Sequence, residues 1–164
     1  YEDCATAKNG QFGAWDTISL EEGAYFGYRH FDRQRIAPAF CFGHGLSYTE
    51  FEYSGLTLKA EKGKNIKLTF TVKNIGKRAG AEIAQVYIAP IAAKENRPDK
   101  ELKAFAKVEL GAGRSGKVSL VLKQKDFACF DEQLHKFITN AGDYEILVAA
   151  SCEDIRLRGI ATLS

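Results

Sequence analysis

Residues 66–89 read IKLTFTVKNIGKRAGAEIAQVYIA, and this stretch decides the fold. IKLTFTV (66–72) alternates apolar and polar side chains strictly. Successive side chains of an extended chain point to opposite faces, so the pattern predicts a strand with one face buried and one in water. KNIGKRAG then breaks the run with Gly76 and Gly80, and AEIAQVYIA (81–89) comes next and ends at Pro90. Two β-rich runs separated by glycine-bearing turn residues read as short strands of an antiparallel β-fold.

The same pattern spreads outward along the chain. LTLKA (56–60), ELKAFAKVEL (101–110), KVSLVLK (117–123), GDYEILVAA (142–150) and IRLRGIATL (155–163) are further β-rich runs, each closed by turn residues. FACF (127–130) and KFIT (136–139) flank the polar turn DEQLH. No helix-period segment interrupts them. Seven or eight strands, with turns every ten or so residues over 51–164, predict an all-β antiparallel sandwich.

Residues 1–50 differ. Phe12, Trp15, Tyr25, Phe26, Tyr28, Phe31, Phe40 and Phe42 crowd this segment without a clean period. It reads as an irregular, aromatic-rich arm. So much aromatic surface in water is adhesive, so the arm is expected to pack on the sandwich or against another domain. The chain opens at Tyr1 and contains no Met, which is expected of a piece of a longer polypeptide.

Composition narrows the function classes. The 164 residues carry a net charge of +2. Residues 1–50 hold 4 basic and 7 acidic side chains, a net −3, and the rest holds 19 and 14, a net +5. The lysines are dispersed among acids, which argues against a nucleic-acid surface. No apolar run approaches the ~18 residues of a membrane span, and no signal-peptide pattern opens the chain. The compartment stays open. Cysteines at 4, 41, 129 and 152 have no metal-finger spacing and read as small buried side chains.

Several motifs invite a chemical reading. GAGRSGKV (111–118) nearly spells a phosphate loop, but Val118 stands where the magnesium-binding hydroxyl belongs. The segment also opens an alternating run rather than a helix, so a glycine-rich hairpin is the better reading. No cofactor is expected. His30, His44 and His135 lack a second His or Cys at ligand spacing, so no metal is expected. In FGHGLSYTEF (42–51), Ser47 with His44 or His30 and Asp32 offers the residue types of a serine hydrolase. Against this, residues three apart in an extended chain face opposite ways, and no G-x-S-x-G elbow occurs. Trp15, near Phe12 and Tyr25, is a candidate platform for a sugar ring, with packing as the plainer alternative.

YFGYRHFD (25–32) together with IAPAFCFGHGLSYTEFEYS (36–54) resembles the junction segment of glycoside hydrolase family 3 enzymes, the β-glucosidase group. Further blocks come in family order. They are Asn74, Gly76, Gly80 and Glu82 with Gln85 and Tyr87; RPDKELKAFAKVEL (97–110); FACFDE (127–132); and GDYEILVAASCEDIRL (142–157). Cys41 stands where the family commonly has proline, and Phe137 where tryptophan is frequent. The resemblance implies an immunoglobulin-like, fibronectin type III-like sandwich entered through a junction from an α/β domain. Retaining glycosidases need two carboxyl groups ~5 Å apart, and the family carries them on domains that no part of this sequence matches. The resemblance therefore implies a non-catalytic module that braces catalytic domains.

In that reading Gly43 and Gly45 permit tight bends, and Leu46, Tyr48 and Phe51 anchor the entry to the first strand. His44 and Ser47 satisfy local backbone groups. Its partners are the parent's catalytic domains, or a second copy bound through the aromatic arm. Two alternatives stay open: a stand-alone sandwich binding β-glucosides or another partner, and a small serine hydrolase of the esterase kind.

Overall fold

The structure is a computed structural model that describes residues 23–92 and 97–164. Trp15, Phe12 and Cys4 lie outside the described residues. Two antiparallel sheets face each other, as the alternation predicts. The first contains β1 (Phe51–Glu61), β2 (Asn65–Asn74) and β5 (Ser115–Leu122), in the order β1-β2-β5. The second contains β3 (Gly80–Pro90), β4 (Glu101–Leu110), β8 (Gly142–Ala149) and β9 (Ile155–Leu163), in the order β4-β3-β8-β9. A small hairpin, β6 (Cys129–Asp131) with β7 (Lys136–Ile138), stands apart from both.

The 66–89 stretch explains the core. Ile66, Leu68, Phe70 and Val72 of β2 point inward and are buried, as every second residue of a half-covered strand must be. They meet Ala84, Val86 and Ile88 of β3 and Ile146 and Val148 of β8 in one apolar cluster. Tyr53 stacks on Phe70 with ring centroids 6.2 Å apart. Burying each such side chain contributes roughly 1.5–3 kcal/mol, so this layer dominates the stability.

The structure corrects several expectations. β1 begins at Phe51 rather than Leu56, and its register shifts between Ser54 and Thr57 around Gly55, whose φ is +67°. This bulge breaks the strict alternation and so hid the strand's first half. FACF is not one strand: Phe127 closes a 3-10 turn (Gln124–Phe127) and plugs the core edge-on against Tyr144, 5.1 Å between centroids. Within the arm, YRHFDRQ forms a short helix, α1 (Tyr28–Gln34). Two turns are too few to show a helical period.

β3 departs from alternation for a different reason. Its residues Ala84 to Ile88 are all buried. Their outward members, Gln85 and Tyr87, are roofed by the arm rather than by solvent. The GAGRSG segment is not the expected hairpin: it crosses from β4 in one sheet to β5 in the other, turning where Arg114 N–H donates to Gly111 O at 3.1 Å.

Candidate functional site

The arm docks on the outer face of the four-stranded sheet. Gly27, at φ +61°, starts α1 and Arg35, at φ +55°, ends it in the left-handed region. Between them Tyr28 reaches the sheet. Its hydroxyl accepts the Leu102 N–H at 2.9 Å, and its ring stacks on Phe42 and meets Tyr87 edge-on. Asp32 binds Lys100 Nζ at 2.6 Å, with both side chains mostly buried. Arg29 pairs with Glu101 at 3.4 Å, and Glu101 also meets Arg97 and Lys103.

Beyond α1 the chain runs back along the sheet. Cys152 N–H donates to Phe42 O at 2.9 Å, and His44 N–H closes a turn on Cys41 O. Gly43, at φ +83°, takes a bend in which a Cβ would lie 2.0 Å from Gln85 Nε2. The expectation for Gly43 therefore holds. Gly45 has open space around its Cα and no left-handed φ, so no such demand exists there.

The junction is secured by Thr49, a residue the sequence did not single out. Its hydroxyl donates to Asn74 Oδ1 at 2.6 Å inside the fold. Asn74 is fully buried and its amide donates to Arg78 O and Leu110 O, at 2.7 and 3.0 Å. Its Oδ1 also accepts the Gly76 N–H at 3.0 Å. A Cβ at Gly76 would fall 2.2 Å from Thr49 Oγ1, and one at Gly80 would fall 2.6 Å from Thr49 Cγ2. The Asn74–Gly76–Gly80 spacing is thus a clasp that holds Thr49. Two glycines framing a buried asparagine were the available signal.

Phe51 is buried beside this clasp, as an anchor should be. Leu46 and Tyr48 are not anchors: they are 94% and 91% exposed. In an extended segment pinned at Thr49 and Phe51, their side chains face away from the sandwich. Phe40 is 76% exposed and Phe42 49%, so four large apolar side chains stand out along residues 40–48.

Of the hydrolase reading, Asp32, Ser47 and His44 are each engaged with other neighbours. Asp32 is engaged by Lys100, and Ser47 Oγ accepts the Thr49 N–H at 3.3 Å. The His44 ring packs against Phe40, 5.2 Å between centroids. No hydrogen bond joins these three. Among the described residues, no group of three or more His, Cys, Asp or Glu is placed to hold a metal ion.

One polar cleft, about 540 Å³, separates the 43–47 turn from the sheet, and Glu82, Gln85 and Asp154 line it. Glu82 accepts the Tyr53 hydroxyl at 2.8 Å, and Asp154 pairs with Arg156 at 2.7 Å. Burial raises the Glu82 carboxyl above its ordinary pKa, with the Tyr53 hydrogen bond opposing it. Burial also raises the Tyr53 hydroxyl. Each carboxylate is thereby committed to a neighbour in the fold.

Comparison with known proteins agrees with this architecture. The family described as "Fibronectin type III-like domain" matches residues 82–152. The thermostable β-glucosidase B of Acetivibrio thermocellus is 40% identical over 149 residues, which cover 89% of this chain and 20% of that protein. The probable β-glucosidase I of Aspergillus oryzae is 45% identical over 143 residues, covering 82% of this chain and 17% of that one. Among solved structures, the GH3 β-glucosidase of Bifidobacterium adolescentis superposes with a TM-score of 0.88 at 33% identity, covering 99% of this chain and 24% of that one. The chain therefore spans about a fifth of the length of the curated relatives it matches. It contains a fibronectin type III-like domain and is homologous to a segment of family 3 β-glucosidases.

Proposed function

We propose that this chain, a fibronectin type III-like sandwich with its junction, is a non-catalytic module of a family 3 β-glucosidase. Its work is to brace the catalytic domains of the parent. The observation that carries this reading is the ordered junction at residues 40–48. It is pinned to the sandwich at both ends, yet it holds Phe40, Phe42, Leu46 and Tyr48 outward. A rigid segment that presents apolar side chains is pre-organised for a partner surface. The homology supports the remaining four-fifths of a β-glucosidase as that partner.

The test is reconstitution. The 164-residue chain is mixed with the Acetivibrio thermocellus relative from which the matching segment has been deleted. Glucoside hydrolysis and co-elution are then measured. The bracing role predicts that neither piece alone turns over an aryl β-glucoside fully and that the mixture recovers activity. Turnover by the 164-residue chain alone would refute the non-catalytic reading, and Glu82→Gln would then be the first variant to assay. Co-elution of two copies of this chain, with no heterocomplex, would point to self-association instead.

A further inference from the structure

We propose that Cys41 and Cys152 are a redox-active dithiol pair, and that a small disulfide such as oxidised glutathione converts them into a bond stapling the arm to the four-stranded sheet. The two thiols are free in this structure. They are 111 positions apart in sequence, and two hydrogen bonds bring their segments together. Cys152 N–H donates to the carbonyl of Phe42, the residue after Cys41, at 2.9 Å. The Cys41 thiol lies 3.3 Å from the hydroxyl of Ser151, the residue before Cys152. That hydroxyl also accepts the Asp154 N–H at 3.1 Å, which fixes the 151–154 turn. Both side chains belong to one apolar cluster with Tyr87, Leu147 and Ala149. A disulfide joins Cα atoms ~4.4–6.8 Å apart, and the shared cluster, with Cys152 N–H on the residue next to Cys41, places the two thiols as neighbours. Cys129 lies on β6, outside this cluster.

The chemistry balances as thiol–disulfide exchange. Cys41, the more accessible thiol, attacks one sulfur of the oxidant as its thiolate, and one small thiolate leaves and is protonated. Cys152 then attacks the Cys41 sulfur and expels the second. Two protein thiols lose two electrons and two protons, and one disulfide becomes two thiols. Burial pushes the Cys152 thiol up to about 11, with Cys41 and Asp32 adding to the rise and Lys100 opposing it. Tyr28 and Tyr87 also face this cluster. Closure therefore accelerates between pH 7 and pH 9 as the Cys152 thiolate becomes more populated. The bond would join residues 111 positions apart, a loop long enough to restrict the unfolded chain strongly.

The experiment incubates the 164-residue chain with oxidised glutathione and blocks free thiols with a maleimide. It is then digested without reductant, and the peptides are weighed. The expected product is a peptide pair joining Cys41 to Cys152, two hydrogens lighter than its parts. Its formation should raise the melting temperature by several degrees, reversibly with dithiothreitol. Cys41→Ser should remove both effects and melt like the reduced chain. Cys152→Ala should also remove the cross-link, but if it does not fold, the half-buried Cys41 variant decides alone. Recovery of Cys41 and Cys152 as separate maleimide or glutathione adducts would overturn the proposal. So would cross-links to Cys4 or Cys129 in their place.

Discussion

Asn74 shows how much one side chain can govern. It is buried, and it makes four side-chain hydrogen bonds that join β2, the β2–β3 loop, the end of β4 and the junction. Removing one partner from a buried network strands the others without water. Asn74→Ala is therefore expected to cost about 3 kcal/mol or more in urea unfolding. A loss below about 1 kcal/mol would show that water replaces the amide there. Glu82 gives a pH signature. Its folded-state pKa is raised above the ordinary 4.5, so its ionised form costs stability at neutral pH. That cost disappears as pH falls through the raised value and below 4.5. Glu82→Gln keeps an oxygen for the Tyr53 hydroxyl, so it should raise the melting temperature at pH 7 and change little near pH 4. A variant less stable than the parent at pH 7 would mean that the Tyr53 hydrogen bond outweighs the burial.

Among the elements, α1 is the one the sequence concealed. It has no buried residue of its own, and at seven residues it is too short to be stable alone. Its position depends on Tyr28 and on the Asp32–Lys100 pair, whose partner residues are 68 positions apart. Lys100→Ala leaves Asp32 without its cation. The expected result is several-fold faster tryptic cleavage at Arg33 and Arg35, with the unfolding midpoint of the sandwich little changed. Unchanged cleavage would show that Tyr28 alone suffices to hold the helix. The strands, by contrast, were legible wherever one face meets water. In β3, legible as a β-rich run, the alternation itself fails from Ala84 to Ile88, because Tyr28, Cys41 and Gly43 of the arm cover its outer face. Alternation reports the contrast between two environments, and it fades when both sides are dry.

At the scale of the whole molecule, the question is what the junction presents. Leu46 and Tyr48 touch little of the fold, so the double variant Leu46→Asp/Tyr48→Asp should leave stability within about 0.5 kcal/mol. The same variant should abolish recovery of activity in the reconstitution, because a charge inside an apolar interface is costly to desolvate. Retained recovery would place the docking surface elsewhere. Ser47→Ala should leave recovery intact, since its hydroxyl accepts the Thr49 N–H inside the junction.

The sequence by itself determined the sandwich, most strand positions, the glycine-rich turn at 111–114 and the family of relatives. Each of these rests on local pattern or on the order of blocks along the chain. Only the tertiary structure decided that Thr49, not Leu46 or Tyr48, is the anchor, and that Asp32 belongs to Lys100 rather than to a serine. It also decided that Cys41 meets the 151–152 turn. These are pairings between residues 25 to 111 positions apart. Folding chooses them by which partners can be buried and satisfied together, and no single stretch of sequence contains both halves of that choice.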